Sequence, residues 1–386
     1  MAGIYVHIPF CSSFCIYCDF YSELNSSKMD EYAAALGREA FSRRDFFNEG
    51  AQPSTLYVGG GTPSLLSAQQ LETAVGAVRG AYGVGDFEEF TLEANPDDVT
   101  ADKLALWHSL GVNRLSMGVQ SFDDAHLRWM RRRHDAAGAK RAFAMAREAG
   151  FDNISIDLIF GYAALERREW EDSIAQAVAL HPEHISCYQM SIESGSALGA
   201  LAASGKYVEP SQEVCAGQYS LLRQRLAEAG YHQYEISNFA LSGRESRHNS
   251  AYWKREPYVG LGPAAHSFDG DRLRSWNVDS LEDYLAVWAA EGASRGNACG
   301  CERLSDVDAF NETLMLSLRR AEGFDPASVN PALLARIQPR IDGMLAEGLL
   351  APMAGTDGSD ASAGGRLRIP ADRWFVSDDI IGRLFI

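Results

Sequence analysis

No apolar run in this sequence is long enough for a membrane span. The longest hydrophobic stretches are broken by charge well short of the roughly 20 residues a spanning helix needs. There is no secretory leader either: Met1–Val6 carries no cationic region, and the apolar stretch before Cys11 is short. A cytoplasmic location is the default expectation. Cations are scarce, with 35 Lys and Arg against 52 Asp and Glu and a formal net charge of −17. A field of that sign repels phosphate backbones and argues against general nucleic-acid binding. Arg131-Arg132-Arg133 is a short basic run of the kind found on solvated helix faces. Cysteines number only seven. In a reducing compartment their spacing means more than their parity. Cys187, Cys215, Cys299 and Cys301 are scattered and read as buried or idle thiols, and nothing beside Cys299-Gly300-Cys301 supplies further metal ligands.

The chain has 386 residues, 46% of them hydrophobic, enough for one large barrel and a small second domain. Short apolar strands are expected at Ile4–His7, Thr55–Val58, Glu89–Glu93, Arg114–Gly118, Ile154–Ile159 and Ile185–Gln189. Helical patterns such as Lys28–Phe47 and Ala68–Tyr82, the second capped by Ser67, fall between them. Strands separated by helices imply parallel pairing with right-handed crossovers. Six such units fit an α/β fold of the incomplete (β/α)6 TIM type. Glu209–Gly230 reads as a further helix and Tyr234–Ile236 as a short strand. Three regions are expected: the barrel over 1–238, a loop-rich aromatic region over 239–303, and a small C-terminal domain over 304–386. In the last, helices at Asp306–Arg320 and Asn330–Glu347, a low-complexity turn at Ala354–Gly365 and a strand at Leu367–Ile369 suggest a winged-helix-like unit.

The first strand runs into Cys11-x3-Cys15-x2-Cys18. Three thiolates on one short loop can face a single point. Three protein ligands on a [4Fe–4S] cluster leave one iron open, whereas a structural zinc needs a fourth ligand. His7 precedes the loop but, as a strand residue, points into the barrel. Polar groups also converge at the other strand ends, where barrels of this type carry their sites: Gly59-Gly60-Gly61-Thr62-Pro63, Glu93-Ala94-Asn95-Pro96, Gly118-Val119-Gln120-Ser121, Asp157, and Tyr188-Gln189.

The cysteine spacing, with the aromatic Tyr17 before the third cysteine, resembles the radical S-adenosylmethionine (SAM) superfamily. That resemblance implies a [4Fe–4S] cluster on Cys11, Cys15 and Cys18 and SAM chelating the open iron through its amino and carboxylate groups. An electron from the cluster then cleaves the S–C5′ bond to give a 5′-deoxyadenosyl radical. Over roughly residues 3 to 320 the chain is similar to the oxygen-independent coproporphyrinogen III oxidase family. This implies SAM contacts from Tyr5, Gly60, Gly61, Thr62, Glu93, Gln120, Arg132 and Asp157, which sets Arg132 apart from its basic run.

Two features depart from the oxidase branch. Phe20 stands where that branch carries a fourth cysteine, and no long arm precedes the first strand. The chain instead resembles the HemW heme-chaperone branch, on Tyr5-x-His7-x-Pro9-Phe10-Cys11, Cys18-Asp19-Phe20, Tyr234–Ala240, Tyr258–Pro263, Ala265–Ser267 and the signature His248-Asn249-x-x-Tyr252-Trp253. Phe160-Gly161-Tyr162-Ala163 replaces a leucine–proline step common in relatives. The resemblance implies heme as a bound group, with His248 as iron ligand, Tyr252 and Trp253 packing on the porphyrin, Asn249 beside them and His266 as a second candidate ligand. Its implied partners are heme-acceptor proteins such as respiratory enzymes, with association at a membrane surface and monomer–dimer exchange. The implied role is heme binding and transfer; the runner-up is oxidative decarboxylation of coproporphyrinogen III, and a radical SAM reaction on another substrate is the third reading.

Overall fold

A period of two runs through the first six strands and decides the architecture. In the computed structural model, which describes residues 2–47, 52–289, 299–353 and 365–386, these are β1 (Ala2–Ile8), β2 (Pro53–Gly60), β3 (Glu89–Ala94), β4 (Arg114–Gln120), β5 (Ile154–Phe160) and β6 (His184–Gln189). Each pairs in parallel with the next. Alternate residues such as Ile4 and Val6, Leu56 and Val58, Leu115 and Met117, and Ile154 and Ile156 are buried in the apolar core. The residues between them, among them Tyr57, Glu93, Arg114, Ser116, Asp157 and Ser186, face the opposite way and line one cavity. TIM-type interiors are ordinarily filled by layers of Val, Ile and Leu. This one is polar and hollow.

The outer layer consists of α1 (Met29–Ser42), α2 (Ala68–Tyr82), α3 (Ala101–Ser109), α4 (Asp124–Trp129), α5 (Ala136–Glu148), α6 (Arg167–Ala179), α7 (Ala197–Ala203) and α8 (Gln212–Glu228). Ser67 starts α2 through a full capping box with Gln70, and Gly83 ends it in the left-handed region at φ 66°.

The sheet does not end with the sixth unit. It continues through β7 (His232–Gln233), β8 (Asn238–Ala240), β9 (Tyr258–Leu261), β10 (His266–Phe268), β11 (Leu273–Asn277) and β12 (Cys299–Arg303), in the order β12-β11-β10-β9-β1-β2-β3-β4-β5-β6-β8-β7. β9 pairs in parallel with β1, and β8 runs antiparallel to β6. The expectation of a separate loop-rich region over 239–303 is therefore corrected: its described residues extend the barrel sheet and add α9 (Arg247–Trp253) and α10 (Leu281–Val287). Tyr234–Ile236 is not a strand but the link between β7 and β8; Glu235 in it makes only an isolated bridge to Arg320.

The C-terminal part holds α11 (Asp306–Leu318), α12 (Pro331–Ala346), a hairpin of β13 (Ala351–Pro352) and β14 (Leu367–Arg368), and α13 (Ser377–Gly382). The low-complexity turn at Ala354–Gly365 lies, except for its last residue, outside the described residues. No helix among the described residues is long and apolar enough to cross a membrane.

Candidate cofactor site

The loop after β1 is pinned at several points. Cys11 N donates to Glu23 O at 2.9 Å, Glu23 N to Pro9 O at 2.7 Å, Ile16 N to Met130 O at 3.3 Å, and Leu198 N to Ile16 O at 2.7 Å. These bonds hold Cys11, Cys15 and Cys18 half-exposed at the mouth of a cavity of about 640 Å³. The Thr62 hydroxyl donates to the Cys11 sulfur at 3.4 Å and Arg132 Nη1 to the Cys15 sulfur at 3.2 Å. Burial pushes the Cys18 thiol up to about 11, with the Cys15 and Cys11 sulfurs adding to it. The donor set suits a group that brings positive charge to three thiolates. Among the described residues no three His, Cys, Asp or Glu side chains gather closely enough to hold a single metal ion. Three thiols on one loop at the cavity mouth suit a cluster that leaves one iron open, whereas a tetrahedral zinc needs a fourth ligand. His7 is no ligand in this arrangement: its Nδ1 bonds the Tyr5 hydroxyl at 3.0 Å and its Nε2 the Tyr21 carbonyl at 2.9 Å.

The glycine triplet is more than a turn. A Cβ on Gly61 would sit 2.6 Å from the Phe10 carbonyl oxygen, one on Gly59 2.8 Å from the Tyr57 ring, and one on Gly60 (φ 105°) 2.7 Å from the His7 ring. The backbone thereby passes directly between the cysteine loop and Glu93. Gly60 N donates to Glu93 Oε2 at 3.2 Å and the Tyr57 hydroxyl to Oε1 at 2.7 Å. Burial nevertheless pushes the Glu93 carboxyl up to about 7, and burial likewise pushes Asp157 up to about 6 against hydrogen bonds from Ser186 and Ser116.

The basic run divides three ways. Arg131 is exposed at φ 60°. Arg132 turns inward, donating from Nη2 to Asn95 Oδ1 at 2.5 Å and to Gly118 O at 2.8 Å. Arg133 pairs with Asp97 at 2.7 Å and Asp98 at 2.9 Å. The run follows α4 and is not a helix face.

Tyr17, Gly60, Gly61, Thr62, Glu93, Gln120, Arg132 and Asp157 all line the one cavity. Tyr5 does not; it faces inward below them, 6.1 Å from the Tyr57 ring. Gln120 reaches its place at φ 68°, where the β4–β5 register shifts. Tyr57, Asn95, Arg114, Ser116, Ser186 and Tyr188 also line it. Asn95 and Tyr188 were already named at the strand ends; Tyr57, Arg114, Ser116 and Ser186 were missed although the alternation along their strands points them inward. Exposed Phe14, Phe20 and Tyr188 stand at the mouth. The Phe160–Ala163 loop is fixed by Gly161 at φ 77°, whose N–H meets Gln218 Oε1 at 2.9 Å, and by Tyr162 stacked on Trp129 at 5.4 Å.

The His248–Trp253 signature lies elsewhere. It forms α9, packed against β1 and β2 at the end of the barrel opposite the cysteines. Glu89 caps this helix, accepting from the N–H of Arg247 and of His248 at 2.8 Å each. His248 is 1% exposed. Its Nδ1 bonds the Thr55 hydroxyl at 2.8 Å and its Nε2 the Tyr252 hydroxyl at 2.7 Å, while burial lowers it to about 3. The expectation of His248 as a heme ligand is therefore not met by this geometry, because neither ring nitrogen is free and the ring is sealed from solvent. Tyr252 is likewise turned to His248 and Tyr258, with ring centroids 4.9 and 4.5 Å away, and Trp253 is half-buried. Asn249 alone of the signature lines the cavity, as part of its floor. His266 is exposed and stacked on Trp276 at 5.8 Å; Trp276 lies so close over Gly300 that any side chain there would collide with it.

The Radical SAM superfamily model matches residues 5–177. The chain is 38% identical over 327 residues to the heme chaperone HemW of Bacillus subtilis, covering 84% of each chain. It is 34% identical to that of Synechocystis, over 86% of this chain and 82% of the relative. With the Escherichia coli heme chaperone HemW it shares 31% identity over 100% of this chain and 96% of the relative. Among solved structures, the coproporphyrinogen III oxidase HemN of Escherichia coli, a radical SAM enzyme, superposes with a TM-score of 0.80 at 23% identity, over 100% of this chain and 90% of that one; this likeness shows the fold. Identity of this extent, on a barrel whose strand ends gather the three-cysteine loop, the glycine triplet and two buried carboxylates, makes the chain a member of the HemW heme chaperone family within the radical SAM superfamily.

Proposed function

We propose that this protein binds heme and hands it to acceptor proteins, respiratory enzymes among them, while carrying a [4Fe–4S] cluster on Cys11, Cys15 and Cys18 with SAM beside it. The cluster and SAM, when bound, supply one-electron chemistry at the sulfonium. The chain's own residues do the holding. Gly60, Gly61 and Thr62 offer backbone and hydroxyl groups next to the thiolates, Arg132 offers a guanidinium to a carboxylate, Glu93 and Asp157 offer carboxylates, and Gln120 closes the far side. The observation that carries the assignment of branch is Phe20, 72% exposed at the cavity mouth where the oxidase branch has a cysteine. A cytoplasmic setting, contact with a membrane surface and a dimeric state belong to the same proposal.

In this reading the macrocycle lies outside the chamber that holds SAM. Cargo meant for another protein has to stay accessible. His266, exposed beside the flat Trp276 ring, replaces His248 as the iron ligand in this reading. Anaerobic reconstitution with SAM, then with heme or coproporphyrinogen III, tests the assignment. A Soret shift with heme and no protoporphyrinogen product is expected; turnover of coproporphyrinogen would make the protein an oxidase.

A further inference from the structure

Arg114 opens β4 with its side chain turned into the barrel, and the roles assigned so far give it nothing to do. It is 1% exposed. Its Nη1 makes one long hydrogen bond, to Thr91 Oγ1 at 3.5 Å, and its Nε has no partner. A guanidinium desolvated this far is costly unless opposite charge faces it. The strand order brings such charge into the same interior: β4 lies between β3 and β5, Glu93 on one and Asp157 on the other line the same cavity as Arg114, and the buried Glu89 on β3, two residues from Thr91, already accepts from the N–H groups of α9.

We propose that Arg114 is a positioning residue of the cofactor site, the fixed counter-charge that keeps Glu93 and Asp157 ionised and so able to hold SAM. The inference rests on the reading that these two carboxylates bind SAM. Among the other groups facing them, Arg132 alone adds positive charge, and it does so at Asp157. The phenols of Tyr5, Tyr57, Tyr188 and Tyr252 are held neutral by burial. His184 and His248 are kept neutral by burial and by Arg114 itself. Arg132 bears on Asp157 but is committed to Cys15, Asn95 and Gly118. Arg114 lowers both carboxyls, which burial still leaves at about 7 and about 6. Without it both rise further, and at neutral pH both bind more proton than they do beside Arg114.

The test uses the anaerobically reconstituted full chain with Arg114→Gln and Arg114→Lys. SAM affinity is measured by calorimetry from pH 6.5 to 9 and expressed as a ratio to the parent protein at each pH, so that titration of the ligand cancels. Arg114→Gln is expected to weaken SAM about tenfold or more near pH 7, since a rise of one in a carboxyl pKa is a tenfold change in its ionisation. The gap should close to about threefold or less by pH 9, with iron content and the cluster EPR signal unchanged. Arg114→Lys keeps the charge and should fall between, and its smaller slope with pH decides the matter if the glutamine variant does not fold. A deficit of the same size at every pH is a packing defect and overturns the proposal, as does unchanged affinity at pH 7. Glu93→Gln and Asp157→Asn are run alongside. If they leave affinity untouched, the reading of the site fails and takes the proposal with it. If they weaken SAM and Arg114→Gln does not, the counter-charge alone is wrong.

Discussion

Glu93→Gln should make the cofactor-free protein more stable at pH 8 and less able to bind SAM. In the folded protein the carboxyl is pushed up from 4.5 to about 7, chiefly by burial. At about 1.4 kcal/mol for each tenfold change in protonation, holding it ionised at pH 8 costs about 3 kcal/mol of folding stability. That is an upper bound. Glu93 faces a cavity that water enters and is only half-buried by its exposed surface, and glutamine can accept from the Tyr57 hydroxyl but not also from Gly60 N. The net gain is about 1–2 kcal/mol. With an unfolding entropy of about 2 cal/mol/K per residue, that raises Tm by about 1–3 °C. The gain fades with acid. Between the unfolded value near 4.5 and the folded value near 7, the folded state binds the extra proton, so parent stability falls as pH rises through that window. The variant lacks this part of the slope, and the two should converge at pH 5. Glu235, raised to about 7, slopes the same way in both proteins and drops out of the difference, whereas Asp157, which repels Glu93, is relieved in the variant and adds to the gain at pH 8. Urea denaturation at pH 5, 6.5 and 8 gives the comparison. Equal stability at pH 8, or a difference that does not shrink toward pH 5, would show that Glu93 is not held against its own desolvation.

Cys11→Ser, Cys15→Ser and Cys18→Ser should each abolish the stable [4Fe–4S] centre, and wild-type iron content and EPR spectra in such proteins would refute the cluster assignment. Arg132→Ala should weaken SAM binding measured by calorimetry while altering the cluster less than the loss of any thiolate, although its contact with Cys15 makes a modest spectral change part of the expectation. His248→Ala should lower stability by about 2–4 kcal/mol, from a buried ring lost together with two hydrogen bonds, and leave the Soret band of bound heme in place. His266→Ala should diminish that band with little effect on urea stability; the opposite pairing of effects would return the iron ligand to His248.

The six barrel strands and most of the helices were legible because their signals are local: two-residue alternation, cap residues and amphipathic spacing. β9 was not. Tyr258–Leu261 has four residues, one of them glycine, and its partner strand is β1, with Gly3 opposite Tyr258, so nothing nearby in the sequence marks it. The same distance hid the role of Glu89, which ends up capping a helix more than 150 residues away. The cysteine loop was legible from spacing alone. The inward set was readable in principle, since Arg114-x-Ser116-x-Gly118-x-Gln120 and Thr91-x-Glu93-x-Asn95 are polar at every second place, but the apolar half of each strand drew the attention. His248 was ambiguous in the sequence because a histidine beside tyrosine and tryptophan has the same signature in a packed helix as at a porphyrin.

The position of α9 follows from the hollow interior. A barrel filled with Val, Ile and Leu seals itself, but one lined by Tyr57, Glu93, Arg114, Ser116 and Asp157 would be open to solvent at both ends unless something closed one of them. Helix α9 does so with groups that the polar interior can satisfy. Its positive end meets the buried carboxylate of Glu89, its His248 ring bridges Thr55 on β2 to Tyr252 in the next turn, and Asn249 presents an amide to the cavity. A hydrophobic helix would still offer its backbone N–H groups to Glu89 but would leave the hydroxyl of Thr55 unpaired in the interior, which is costly. Water is thus kept from entering beneath the carboxylates, and their charge is governed by the fixed groups around them, with the mouth beside the cysteine loop left as the way in.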